Sequence, residues 1–294
     1  GAGELRLGGG AAFAMPGPNG AGKTTTVEIL EGYRQRDGGE VRVLGLDPEK
    51  QGRLLKQQIG IVLQSTGVDQ YLTVAETISM YSGYFPDPRP VDEVIELVGL
   101  AHKRNTRVVK LSGGQQRRLD VAIALAGDPE VLFLDEPTTG FDPSARHEAW
   151  DVVKNLAGWG KTVLLTTHYM DEAQHLADRV GVISQGRIVA EGAPATLAGR
   201  DSARATVSFT LPVGITPPGD LNAHRCADGS VQITPQDLAG ALHRLTGWAL
   251  EQSVNLDDLR VLRPSLEDVY LHLTGPTLPT SQIAAPSAPG RTPA

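Results

Sequence analysis

Apolar residues gather along this chain in short runs that end in polar or charged ones. Residues 11–15, 59–63, 131–134 and 162–167 are each dominated by apolar or β-branched residues, the pattern of strands buried on both faces. Residues 40–44 instead alternate apolar and polar, which predicts a strand with one exposed face. Between these runs apolar positions recur at helical spacing, which predicts helices over 25–31, 91–98, 116–126, 144–157 and 172–177. Thr73 and Glu76 open a further helix with a capping box, and Gly99 stops the helix over 91–98. Residues 179–183 and 187–191 read as strands joined by a hairpin-like turn at Ser184-Gln185-Gly186.

Strands alternating with helices predict an α/β fold with a mostly parallel sheet and helices on both faces. Residues 1–200 are expected to form this domain, with a helical subdomain at about 65–125. A shift to Pro, Ala, Gly and Arg near 194–203 marks a linker. Beyond it, strands near 205–211, 230–234 and 256–262 and helices from Pro235 and over 265–273 predict a small α+β module spanning 201–274. Residues 275–294 are rich in Pro, Thr, Ser and Ala and are expected to be disordered.

Length and charge narrow the class. The 294 residues suffice for one large domain and a small one. A net charge of −7 argues against a nucleic-acid partner. One cysteine, Cys226, excludes a disulfide framework and fits a reducing compartment. No apolar run approaches the roughly 18 residues of a membrane span, and the first residues lack the apolar core of a secretion signal. The expectation is a cytoplasmic protein that reaches a membrane only through a partner.

The candidate chemistry begins after the first strand. Gly17-Pro18-Asn19-Gly20-Ala21-Gly22-Lys23-Thr24-Thr25 fits G-x-x-x-x-G-K-[ST], between a strand and a helix. Glycines let backbone N–H groups curl toward phosphate oxygens, Lys23 brings a cation to the β- and γ-phosphates, and Thr24 offers a hydroxyl to Mg²⁺. The second strand delivers Gln64 at its end. Leu111-Ser112-Gly113-Gly114-Gln115 opens a helix with two glycines, a second anion-binding end. Asp135-Glu136-Pro137 follows the run 131–134, and His168 follows the run 162–167. Strand ends of this kind are where open α/β sheets hold ligands. His224, Cys226 and His243 have no metal spacing.

With Leu111–Gln115 and Leu132–Pro137 in view, the sequence resembles the ATP-binding cassette ATPases over about residues 11–200. The order of phosphate loop, Gln64, Leu-Ser-Gly-Gly-Gln, Leu-Asp-Glu-Pro and His168 carries the resemblance. Over 200–274 the chain resembles the drug-export branch, whose C-terminal module ends in a stretch like Ser265-Leu266-Glu267-Asp268-Val269-Tyr270-Leu271. The resemblance implies a phosphate-loop NTPase cassette with antiparallel edge strands and a helical subdomain. ATP and Mg²⁺ are its implied cofactors. By the same resemblance Asp135 holds Mg²⁺ with Thr24 and Gln64, Glu136 polarises the attacking water, and His168 contacts the γ-phosphate. Ser112, Gly113, Gly114 and Gln115 close on the γ-phosphate of a second copy, and Asp142 links the two sites. The implied activity is ATP hydrolysis driving export of a drug or lipid-like molecule through a separate membrane permease, at the cytoplasmic face of the cell membrane. Residues 65–100 are the expected docking surface for that permease; the cluster Tyr81, Tyr84 and Phe85 is either part of it or core.

Relatives in that family carry further strands and an adenine-stacking aromatic before the phosphate loop. Residues 1–16 hold only Phe13, so the chain is expected to begin late and to bind nucleotide weakly. Phe141 stands where the family more often has leucine. Three other readings compete. A DNA-maintenance ATPase would place a long coiled coil between loop and signature, and a translation-associated ATPase would carry two cassettes. The third is a subunit that binds nucleotide without turnover.

Overall fold

A computed structural model describes residues 7–62, 67–199, 205–212, 214–226, 229–262 and 264–274. Its centre is a six-stranded sheet in the order β2-β3-β4-β1-β5-β6. The strands are β1 (Ala12–Pro16), β2 (Ile59–Val62), β3 (Val131–Asp135), β4 (Thr162–Thr167), β5 (Arg179–Ser184) and β6 (Arg187–Gly192). The first five run parallel, and β6 returns antiparallel to β5. The turn between them places Gln185 and Gly186 at positive φ, the geometry of a tight hairpin.

The apolar runs are apolar because both faces of the sheet are covered. Ala12, Ala14, Leu132 and Leu134 point into one core, Phe13, Met15, Val131 and Phe133 into the other. The first core is closed by α3 (Val74–Ser82), α4 (Val91–Leu97), α5 (Gly113–Leu125), α6 (Pro143–Gly158) and α7 (Met170–Leu176). The second is closed by α1 (Lys23–Leu30) and α2 (Pro48–Leu55) through Val27 and Leu55. Phe13 is 1% exposed there, so it is a core residue. The capping box at α3 forms: Glu76 N–H donates to Thr73 Oγ1, and Thr73 N–H to Glu76 Oε2.

Residues 40–44 are not a strand. The backbone doubles back at Leu44 and Gly45, both at positive φ, leaving a single bridge between Val43 and Leu46. Alternation supplies a face but no partner, and among the described residues no strand pairs with this segment. The α2 helix has a local start signal in Asp47-Pro48: Asp47 accepts from Glu49 N–H, and Pro48 takes the first helical position. The linker contains a short 3₁₀ turn at Leu197–Gly199.

After it comes a four-stranded antiparallel sheet in the order β10-β7-β9-β8, made of β7 (Thr206–Thr210), β8 (His224–Arg225), β9 (Ser230–Ile233) and β10 (Asp257–Leu262). Its helix α8 (Leu238–Glu251) packs Ala241 and Leu245 against Val207, Phe209 and Ile233. The last helix, α9 (Leu266–Thr274), packs on α7 rather than on this sheet, with Leu266 and Val269 buried in the first core of the six-stranded sheet. Residues 275–294 lie outside the described residues.

Candidate functional site

Three neighbouring strands, β3, β4 and β1, end at one edge of the sheet. The register sets Asp135 beside Thr166 and Pro16 beside Thr167. The loop that leaves β1 is anchored at once, because Gly17 N–H donates to the Thr167 carbonyl. A Cβ on Gly17 would sit 2.5 Å from the Ile183 carbonyl oxygen, so only glycine fits the crossing. Gly22 caps α1 at φ 101°, a conformation that costs a residue with a side chain dearly. The helix therefore starts at Lys23, and Gly22–Thr24 present the positive end of its dipole. Pro18, Asn19 and Gly20 are exposed, as are Thr24 and Thr25; Ala21 is buried.

Lys23 is buried and curls over the loop: Nζ donates to the Gly17 carbonyl at 2.7 Å and to the Pro18 carbonyl at 3.2 Å. The same Nζ lies 3.3 Å from Glu136 Oε1. The other oxygen of Glu136 accepts from Thr139 Oγ1 at 3.1 Å and faces His168 Nδ1 at 3.2 Å. Burial raises the pKa of this carboxyl, but Thr139, Lys23 and His168 outweigh burial and hold it below the ordinary carboxylate value. Glu136 is thus an ionised carboxylate set between Lys23 and His168.

Its backbone is held in the left-handed region at φ 45°. Thr166 supports that turn, since Glu136 N–H donates to both its carbonyl and its hydroxyl oxygen. The Thr166 hydroxyl in turn donates to Asp135 Oδ1. His168 lies against Tyr169 with centroids 4.0 Å apart and the rings tilted by 40°, and the Arg146 guanidinium covers the Tyr169 ring, 4.2 Å from its centre.

Ser112 caps α5. Its hydroxyl accepts from Gln115 N–H at 3.3 Å, and Gln115 Oε1 accepts from Ser112 N–H at 3.1 Å. The helix begins at Gly113, three residues earlier than its apolar periodicity indicates. Ser112 and Gly113 are exposed, Gly114 and Gln115 half-buried. Further along, buried Arg117 donates from Nε to the Pro137 carbonyl at 2.9 Å, tying α5 to the segment after Glu136. A cleft of about 300 Å³ lies between Gly113, Gln116 and Asp120 on one side and Glu136, Thr139 and Phe141 on the other. Asp142 is exposed just before α6.

The structure therefore brings Lys23, Asp135, Glu136 and His168 to one sheet edge, and sets Ser112–Gln115 on a separate helix. Gln64 lies outside the described residues. Thr139, Thr166 and Tyr169 were not singled out in the sequence. The only signal for Thr166 was a hydroxyl residue at the end of a buried run. Thr24 and Asp135 supply hard oxygen donors, a hydroxyl and a carboxylate. Mg²⁺ takes one or two such protein donors together with phosphate oxygens and water, so the donor set fits it. Among the described residues no group of three His, Cys, Asp or Glu could hold a metal by itself. No helix among them is long and apolar enough to cross a membrane.

The "ABC transporter" family model matches residues 3–139, and a C-terminal domain model of "ABC transporter domain-containing protein-like" chains matches residues 205–265. The chain is 36% identical to the daunorubicin resistance ATP-binding protein DrrA3 of Streptomyces coeruleorubidus, over 92% of this chain and 90% of that one. It is 38% identical to the Nod factor export ATP-binding protein I of Burkholderia lata, over 90% and 88%. Among solved structures, the dimeric MJ0796, a bacterial ABC transporter cassette, is 25% identical with a TM-score of 0.56, covering 64% of this chain and 88% of that one.

Proposed function

Because this chain belongs to the ABC transporter family of ATP-binding proteins, which hydrolyse ATP, we propose that it is the ATPase subunit of an exporter whose membrane permease is a separate chain. The observation that carries the reading is the Glu136 carboxylate, held within 3.3 Å of Lys23 and 3.2 Å of His168 at the phosphate-loop edge of the sheet.

The division of labour follows from chemistry. Backbone N–H groups of Gly17–Thr25 cradle the phosphates, with Lys23 on the β- and γ-phosphates. Thr24 and Asp135, with Gln64, would hold Mg²⁺, which would supply positive charge against the phosphates. Glu136 polarises the attacking water, and His168 stands by the γ-phosphate. Ser112, Gly113, Gly114 and Gln115 complete the site of a second copy in head-to-tail two-fold symmetry, with Asp142 between the two sites. What supports this is the exposure of both the loop and the α5 cap on one chain.

The cargo is an antibiotic or lipid-like molecule, in line with relatives named for daunorubicin resistance and Nod factor export. The permease docks on the helical subdomain. Tyr71 and Tyr84 are 78% and 76% exposed there, whereas Phe85 packs against Gly127. Residues 1–200 act as the ATPase domain at the cytoplasmic face and 201–274 as an accessory module. The experiment is ATP turnover and vesicle transport with the permease co-expressed from a neighbouring frame. Turnover that rises with the permease is the expected result; a chain that binds ATP and never hydrolyses it overturns the reading.

A further inference from the structure

Glu172, in the first turn of α7, is 0% exposed. Oε1 accepts two hydrogen bonds, from Thr138 Oγ1 at 2.8 Å and from Trp150 Nε1 at 3.1 Å. The Thr167 hydroxyl faces the same carboxyl. Oε2 is buried and has no hydrogen-bond partner among the described residues. Burying a carboxyl this way costs free energy that two hydrogen bonds only partly offset. Burial raises its pKa above the ordinary carboxylate value, and the neighbouring hydroxyls and the indole only partly oppose it.

The partners' places in the chain give the residue a task. Thr138 lies two residues past Glu136, Thr167 directly precedes His168, and Trp150 lies in the middle of α6. Glu136 sits at φ 45°, a strained conformation that persists only when its surroundings fix it. Thr166 fixes the strand side of that turn, and the Thr138–Glu172 hydrogen bond fixes the far side.

We propose that Glu172 is a positioning residue for hydrolysis. It ties the segment leaving Glu136 to the helix that follows His168, and so holds these two side chains in register across the reacting phosphate. The proposal rests on the reading of Glu136 as the base. A buried brace with no such task would lower stability, nucleotide binding and turnover together. A positioning residue lowers turnover and leaves binding intact.

The test uses the full chain and compares Glu172→Ala, Glu172→Gln, Thr138→Val and wild type in steady-state Mg-ATP hydrolysis, below the melting temperature of each. A misplacement on the 1 Å scale costs about 100-fold. Glu172→Ala is therefore expected to lower kcat about 10- to 100-fold with KM for ATP within about twofold. Glu172→Gln, whose carbonyl still accepts from Thr138 and Trp150, restores most of kcat. Thr138→Val lowers kcat as well, and the Thr138→Val/Glu172→Ala pair is no worse than Glu172→Ala alone, because the two share one contact. Should Glu172→Ala not fold, Thr138→Val, which removes one hydroxyl at the same oxygen, carries the comparison. Unchanged kcat in folded Glu172→Ala or Thr138→Val overturns the proposal. So does a parallel loss of ATP binding, or a Gln variant as slow as the Ala variant. A wild type that does not hydrolyse ATP overturns the reading of Glu136 and this inference with it. Wild-type turnover beside an unimpaired Glu172→Ala overturns the inference alone.

Discussion

His168 Nδ1 lies 3.2 Å from Glu136 Oε2, although 32 residues separate them in the chain. The contact exists because β3 and β4 are hydrogen-bonded neighbours and each side chain leaves the end of its strand. It makes Glu136 a shared group, engaged by Lys23 on one oxygen and by Thr139 and His168 on the other.

The first prediction concerns that carboxylate. A positioned general base contributes about 10²–10⁴-fold to rate. Glu136→Gln keeps the side-chain volume and loses the charge, so turnover falls at least about 100-fold while ATP still binds. Phosphate release and equilibrium nucleotide binding on the same preparation check both halves. Turnover at the wild-type rate would assign the base elsewhere.

A second prediction concerns Glu31, which follows α1 and is 4% exposed. Burial, then the nearby Asp135 and Glu28 carboxylates, raise its pKa from 4.5 to about 7, while Lys56 opposes them. A raised carboxyl pKa means that the folded chain binds the proton more tightly than the unfolded one. Stability from this group is therefore greatest at low pH and falls as pH rises from about 4.5 to about 7. A raise of that size corresponds to roughly 3 kcal/mol of stability lost across that range. Glu31→Gln removes the ionisation. It is expected to raise the melting temperature at pH 8 and leave it nearly unchanged at pH 5. An equal shift at both pH values would tie the effect to packing.

How much of this was legible in the sequence depends on what each residue type can announce. The runs at 131–134 and 162–167 read as buried strands because burial on both faces leaves no polar position to confuse the pattern. The parallel α/β class followed. Residues 40–44 carried strand-like alternation, yet pairing is a property of two segments, and Leu44-Gly45 turns the chain back instead. For the site, strand ends pointed to Asp135, Glu136 and His168 because topology concentrates ligands there. Glu172 and Thr166 were not legible as partners of that site. A carboxylate in a surface-patterned helix and a threonine in an apolar run reveal nothing of their depth or neighbours. Arg117 is similar: it follows the Leu-Ser-Gly-Gly-Gln stretch like a solvated charge, and the fold buries it against Pro137.

The third prediction concerns α9. Leu266 is 1% exposed and joins the same core as Ala173 and Leu176 of α7. Truncating a buried leucine to alanine costs about 2–5 kcal/mol. Leu266→Ala is expected to lower global stability by that order in urea unfolding. The exposed Leu271 on the same helix should be almost neutral when truncated. If Leu266→Ala leaves the midpoint unchanged, α9 does not pack on α7 in solution.

The last prediction concerns assembly. Ser112 is exposed at the cap of α5, next to two glycines that leave the first helical N–H groups uncovered. In the proposed head-to-tail pair this cap meets the γ-phosphate bound by the other copy. Slowing hydrolysis should therefore trap the pair: Glu136→Gln with ATP is expected to double in mass by light scattering, and to remain single with ADP. Adding Ser112→Arg places a long cation where the second copy must approach, and should abolish the dimer. That substitution also removes a helix cap, which costs about 0.5–2 kcal/mol. Ser112→Asn is therefore the control, since asparagine caps helices as well as serine does and adds no long cation. A folded Arg variant that stays single beside an Asn variant with native stability assigns the loss to the interface. A dimer that survives Ser112→Arg, or forms equally well without ATP, places the contact between copies on another face of the molecule.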